Sequence, residues 1–335
     1  MTYVGLRLWV CGWLLLAAAF ALPSFAHNSW QPSRPVMFIV PNGVAGTSDR
    51  AARTMQRIMQ THKLINVPVV IVNRPGGNGT LALNQLRASP GDGHVMLIMN
   101  SIMLSAHLAG LTPYGHADLT PLALMVDEYY SVNVRADSPL RSAGELLTRL
   151  RTTPDALTFG SASVTGDNYI SMLMALKKGG IDVKRVKTVS FAGGSEIALA
   201  LLDGHVDVTH TGLGNMAAHL REGRMRTLAI TGPKRMPGPF ADVPTWKEVG
   251  VDMTASGWRG VLGPKDLPQP QIAYWEEILR RVVQTPEWQK DLDDNFWINP
   301  YAGAYASAAE TRRRLDREYA EIKQTMSELG MARVK

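Results

Sequence analysis

The chain has a single cysteine in 335 residues, Cys11, and it lies inside the apolar stretch "LWVCGWLLLAAAFAL" near the start. Once that stretch is removed no thiol remains, which excludes disulfides, thiolate zinc sites and cysteine nucleophiles. A second long apolar run is also missing, and a bilayer span needs about 20 such residues. Catalytic signatures are absent in turn. Ser161, Ser163 and Ser195 lack the flanking glycines of a GxSxG elbow, and neither HExxH nor GxxxxGK occurs. "GNGTLA" at 77 to 82 has the looser dinucleotide pattern, but Asn73-Arg74-Pro75 separates it from the preceding apolar run, and no acidic residue ends the next one, "VMLIM". His205 and His210 bracket "VDVT" with a spacing that places them on opposite faces of a strand, unsuited to sharing a metal. His27 has no second histidine partner for copper. No metal and no cofactor is expected.

What is present begins with a leader. Arg7 is the only charge in the first 26 residues, and Ser24-Phe25-Ala26 puts small residues at the minus-three and minus-one positions of a signal peptidase site. Cleavage near Ala26 predicts an exported, periplasmic protein that starts at His27. The formal charge of +6 then becomes +5 with the loss of Arg7, a balance suited to an anionic ligand or surface. The densest basic stretch, "ETRRRLDREYAEIK" at 310 to 323, interleaves Arg with Glu and Asp. Such mixing makes a solvated helix face with i,i+4 pairs, not a nucleic-acid patch.

The remaining chain alternates between two periods. "VMFIV" (36 to 40), "VPVVIV" (67 to 72) and "VMLIM" (95 to 99) are uninterrupted apolar runs, suited to parallel strands covered on both faces. After the first run, Ala51, Ala52, Met55, Ile58 and Met59 share one helical face. A second block repeats the scheme: Ser142 and Glu145 have capping-box spacing, and "LTFGS", "VKTVSF" and "GRMRTLAIT" (223 to 231) read as further strands. This is α/β architecture. Three strand-to-helix junctions are built from small and hydroxyl residues: 42 to 49, 161 to 168 and 193 to 196. A helix start leaves backbone N–H groups unpaired and carries partial positive charge, so such junctions suit an anion. The same residues also serve as ordinary caps, and Asp49 suits the first turn of any helix.

The order of these segments carries a resemblance. "RPVMFIVPNGVAGTSDRAARTMQ", "VPVVIVNRPGGNGTLALNQL", "GDGHVMLIMNS", "LTFGSASVTGDNYI", "VSFAGGSEIALALLDGHVDV", "VPTWKEVGVD" and "GWRGVLGP" together resemble the tripartite tricarboxylate transporter receptor family, also called Bug proteins. Asn73-Arg74-Pro75-Gly76-Gly77, Gly91-Asp92-Gly93 and Trp258-Arg259-Gly260 bring it nearest the citrate-type TctC branch. The resemblance implies a type II periplasmic binding protein fold, two α/β domains with a ligand cleft and two crossover strands, near 127 to 134 and 253 to 260. Domain one would be residues 27–128 plus 257–335, and domain two 129–256. It further implies that carboxylate oxygens meet backbone N–H groups and hydroxyls at Gly46, Thr47, Ser48 and Asp49, and at Ser161, Ser163, Thr165 and Gly166. Gly193, Gly194, Glu196, Ser101 and Trp258 carry over as further contacts, and no arginine clamp is required.

Two departures stand out: Ala45 and Thr47 flank the lone Gly46, and Asn168 stands where relatives often have His. The function implied is a monomeric receptor, not an enzyme, that captures a di- or tricarboxylate by domain closure and delivers it to a membrane permease. The same pocket could instead serve a sensor-kinase ectodomain. An exported α/β hydrolase, the third reading, lacks an assembled nucleophile and histidine.

Overall fold

The computed structural model describes residues 30–44, 47–161, 165–191, 194–302 and 307–334. The leader reading and the expected contacts Gly46, Ser163 and Gly193 therefore lie outside the described residues. Gln31–Lys335 forms one compact unit. Its elements run β1 (Val36–Val40), α1 (Thr47–Thr61), β2 (Val69–Asn73), α2 (Thr80–Arg87), β3 (Val95–Asn100), α3 (Ile102–Leu108) and the long β4 (Thr120–Arg135). There follow α4 (Ala143–Thr152), β5 (Thr158–Ser161), α5 (Asp167–Lys178), β6 (Lys187–Ser190), α6 (Gly194–Leu202), β7 (Val208–Gly212), α7 (Leu213–Arg221) and β8 (Met225–Ile230). The chain closes with β9 (Ser256–Gly263), α8 (Gln269–Val283), α9 (Pro286–Asn295) and α10 (Ala308–Glu328).

The strands order as β2-β1-β3-β9-β4-β7-β5-β6, with β8 on β4. β1 pairs in parallel with β2 and β3, and β5 in parallel with β6 and β7. Between these parallel groups the ladder turns antiparallel. β9 pairs with β3, and β4 is shared: Thr120 to Tyr129 lie against β9, while Tyr130 to Asn133 lie against β7. The 16-residue β4 is thus the common strand of both halves of the sheet. Each half has its own core, one around Ile39, Leu83, Leu97, Trp258 and Leu315, the other around Val132, Leu146, Phe159, Leu176 and Trp246. α10 reaches both. Leu315 sits in the first core, Leu329 packs against the second, and Glu328 pairs with Lys177 of α5.

The apolar runs of the sequence become the strands expected of them, with shifts at their ends. The run from 67 becomes a strand only at Val69, because Pro68 has no N–H to give a ladder. Residues 223 and 224 stay outside β8, since Gly223 turns the chain with a left-handed φ of 67°. Ser142 caps α4 by accepting from the Glu145 N–H at 3.2 Å, worth about 1 kcal/mol. Glu145 does not complete the box, for its carboxylate accepts from the Arg141 N–H instead. Only His210 of the two bracketing histidines lies in β7; His205 precedes it.

Candidate functional site

Parallel strands present their carboxyl ends, and the helix starts that follow, along one edge. Here four such junctions converge on one cleft of about 690 Å³. The β1–α1 junction contributes Asn42, Val44, Thr47 and Ser48; the β5–α5 junction contributes Asp167 and Asn168; β6–α6 contributes Gly194 and Glu196. The fourth, β7–α7, brings Thr211, Gly212, Gly214 and Asn215 and was not singled out from sequence. Glu128 and Tyr130 of β4, Arg259 of β9 and Asn100 form the floor, and Arg50, Asn295 and Trp297 complete the wall.

The expected contacts divide. Thr47, Ser48, Gly194 and Glu196 line the cleft. Asp49 does not: its carboxylate is buried, receiving Arg53 Nε at 2.8 Å and Asn73 Nδ2 at 2.9 Å. The same Asn73 amide donates to the Asn42 carbonyl, so Asp49 braces the junction from behind. The alternative reading of Asp49 as a first-turn residue fits this better than ligand contact. Ser161 is buried at the end of β5, where its carbonyl accepts from Phe191 N–H. Thr165 precedes Gly166, the N-cap of α5. Ser101 is buried and its hydroxyl donates to Asp167, a bond that ties the end of β3 to the start of α5. Trp258 is a correction: its indole is 0 % exposed, sits in the first core, and donates through Nε1 to Glu318 at 2.8 Å. The side chain next to it faces the cleft instead, because neighbours on a strand point to opposite faces.

That neighbour is Arg259. Its Nη2 lies 3.2 Å from Glu128 Oε2 and its Nη1 donates to the Gly257 carbonyl at 3.3 Å, while the buried Nε has no partner. Glu128 is 5 % exposed. Burial raises its pKa above the ordinary carboxyl value, against the opposing pull of Arg259 and of the Gly214 N–H, which donates to it. The carboxylate thus occupies the N-terminal end of α7. Gly212 leaves room for it there: a Cβ at that position would meet Glu128 Oε1 at 2.3 Å and the carboxylate would have to shift. Likewise a Cβ on Gly194 would run into the Asn215 side chain at 2.4 Å.

Behind the floor lies a smaller cavity of about 330 Å³ that shares Tyr130 and Asp167 with the cleft. Burial and the adjacent Asp167 raise the Tyr130 phenol well above its usual pKa. His210 packs against Tyr130 with the rings tilted at 40° and their centroids 5.4 Å apart, and it is held neutral, its pKa lowered by burial to about 4. Neither of its ring nitrogens has a hydrogen-bond partner. Among the described residues no group of three His, Cys, Asp or Glu side chains is placed to hold a metal.

A two-sided α/β fold with helix starts converging on one polar cleft has the layout of a ligand-binding class of protein. The family described as "Tripartite tricarboxylate transporter family receptor" matches residues 51–331, and the chain belongs to it. Its relatives include a UPF0065 protein of Bordetella bronchiseptica, 28% identical over 279 residues that cover 82% of this chain and 81% of that one. BugT of Bordetella pertussis is 27% identical over 282 residues, 82% and 84% of the two chains. Solved structures share the fold: a TctC solute binding protein from Polaromonas has a TM-score of 0.74 at 24% identity, covering 89% of this chain and 99% of its own. MatC from Rhodopseudomonas palustris, with bound malate, has 0.75 at 24%, with 88% and 99% covered. An R. palustris protein with adipate has 0.75 at 22%, with 90% and 99% covered. No helix among the described residues is long and apolar enough to cross a membrane.

Proposed function

We propose that this chain is a periplasmic receptor that captures a small carboxylate in the cleft and hands it to the membrane subunits of a tripartite tricarboxylate transporter. The observation that carries the reading is the convergence of four strand-to-helix junctions, from both halves of the sheet, on one polar cleft. At the start of α1 the cleft is lined by Thr47 and Ser48, with Arg50 alongside, and a helix start of this kind is a natural seat for a carboxylate. Asp49, held by Arg53 and Asn73 behind that seat, fixes it without using up the groups that face the ligand. The malate and adipate in the two neighbouring structures are dicarboxylates of a size that the cleft admits. The halves flanking β4 act as the two lobes, near 27–128 plus 257–335 and 129–256, and close to the extent that ligand binds the closed form better than the open one. No covalent step is needed.

Calorimetric titration of ligand-free, refolded protein with malate, adipate, citrate and acidic amino acids tests this. Saturable heat with at least one carboxylate is expected. Absence of heat with all of them overturns the reading.

A further inference from the structure

The cleft holds more of the chain's own negative charge than an anion receptor needs. Arg50 and Arg259 line it, but so do Glu128, Asp167 and Glu196. Of the three acids, Glu128 is the one set on groups that would otherwise receive a ligand. Its carboxylate faces Arg259 at 3.2 Å and takes the Gly214 N–H at the start of α7. Arg259 and Gly214, on β9 and α7, are brought together only here, and both line the cleft. A guanidinium beside a helix N-terminus is the donor set that a ligand carboxylate would seek. The backbone is shaped to admit the internal one: Gly212 leaves room for Glu128 Oε1 where any Cβ would collide at 2.3 Å.

From this geometry we infer that Glu128 is a specificity residue which fills one carboxylate position of the cleft from within and thereby limits the receptor to ligands with no more than two carboxylates. The inference rests on the carboxylate-receptor reading above and refines its ligand class. A dicarboxylate uses the α1 and α5 junctions and leaves the Glu128–Arg259 pair in place. A third carboxylate reaches for Arg259 and meets Glu128, a like charge that the low-dielectric floor does not screen. To enter, it must displace that carboxylate from its guanidinium and amide partners, or have it take up a proton. Asp167 does not play this part: its oxygens accept from the Ser101 hydroxyl and the Asn168 N–H, and it makes no ion pair among the described residues. Glu196 is exposed at the rim.

Glutarate and tricarballylate form a minimal pair that differs by one central carboxylate. Their dissociation constants are measured calorimetrically at pH 7.5 for the wild-type full mature chain, Glu128→Ala, Glu128→Gln and the double variant Glu128→Ala/Arg259→Met, each checked for folding by its thermal melt. The wild type is expected to bind glutarate at least tenfold more tightly than tricarballylate. In Glu128→Ala that preference falls at least tenfold, and the Arg259→Met change on top of it restores a preference for the dicarboxylate. Glu128→Gln keeps an oxygen for Gly214 but not the charge, so it moves the ratio the same way even if the alanine variant fails to fold. A wild type that binds both acids equally, or a ratio unmoved in the folded variants, overturns the inference while leaving a carboxylate receptor standing. Failure of glutarate and tricarballylate to bind any of these proteins, together with absence of heat from malate, adipate, citrate and acidic amino acids, overturns the carboxylate reading itself and the inference with it.

Discussion

Two buried ion clusters sit back to back on the paired strands β4 and β9, and neighbouring residues supply them. Asp127 and Trp258 face α10, whereas Glu128 and Arg259 face the cleft. The rear cluster is saturated. Arg314 makes a bidentate pair with Asp127 at 2.8 and 2.7 Å, reaches Glu318 at 2.6 Å and Ser256 at 3.2 Å, and Glu318 also accepts from Trp258. The forward cluster is sparser, with one ion pair at 3.2 Å, the Gly214 N–H on Glu128, one weak carbonyl contact and an unpartnered Nε. A saturated buried cluster fixes geometry, while one with spare donors beside a cavity can exchange partners. The rear cluster fastens α10 to the shared strands. The forward one lines the cleft.

The comparison breaks most visibly at Arg314. Arg314→Ala leaves Asp127 and Glu318 buried without their cation and is expected to cost about 3–5 kcal/mol in urea unfolding. A loss under about 1 kcal/mol would mean that water replaces the guanidinium, and the rear cluster would not be a lock.

Next in size is a pH effect at His210, which is buried behind Tyr130 in the half of the sheet that carries no part of the rear cluster. Its folded pKa of about 4 lies below the ordinary 6.5, lowered by burial. Below pH 6.5 the unfolded chain takes up a proton that the native chain refuses. Stability is therefore fully present above 6.5 and declines as pH falls toward 4, by roughly 3 kcal/mol in total. His210→Phe keeps the ring against Tyr130 and should remove that part of the pH dependence. An identical pH profile for wild type and variant in urea unfolding would contradict the neutral buried imidazole.

Smaller effects separate the two faces. Thr47→Ala, on the cleft, should weaken carboxylate binding by about 1.5 kcal/mol, near tenfold, with the melting temperature of the empty protein unchanged. Equal losses of affinity and stability would reduce Thr47 to a structural cap. Trp258→Phe, on the rear face, should do the opposite: about 1 kcal/mol less stability from the lost bond to Glu318, with affinity intact. Lost affinity there would return Trp258 to the binding surface.

The same comparison shows what could be read from sequence. β1 and β3 were legible because uninterrupted apolar runs report two-sided burial, and three of the junctions were legible because Gly, Ser and Thr crowd strand ends. Thr47, Ser48, Gly194 and Glu196 followed from that and do reach the cleft. Glu128 and Arg259 did not, since they lie 131 positions apart and meet only through β4–β9 pairing. One local signal existed. If Trp258 belongs to a core, period-two alternation sends Arg259 the other way. The β7–α7 junction, "HTGLGN", lacks that signal because a bulky Leu213 stands between its glycines. Asp49 has the composition of a ligand contact, and only the long-range bond from Asn73 reveals it as a brace.

The most direct test of a working front and a locked back is a crystal structure with bound malate. The account predicts one carboxylate on the Thr47–Ser48 amides and hydroxyls, the other near the start of α5, with Glu128 still on Gly214 and the Asp127–Arg314–Glu318 contacts unchanged. Malate seated in the cavity behind Tyr130, or outside the cleft altogether, would contradict it.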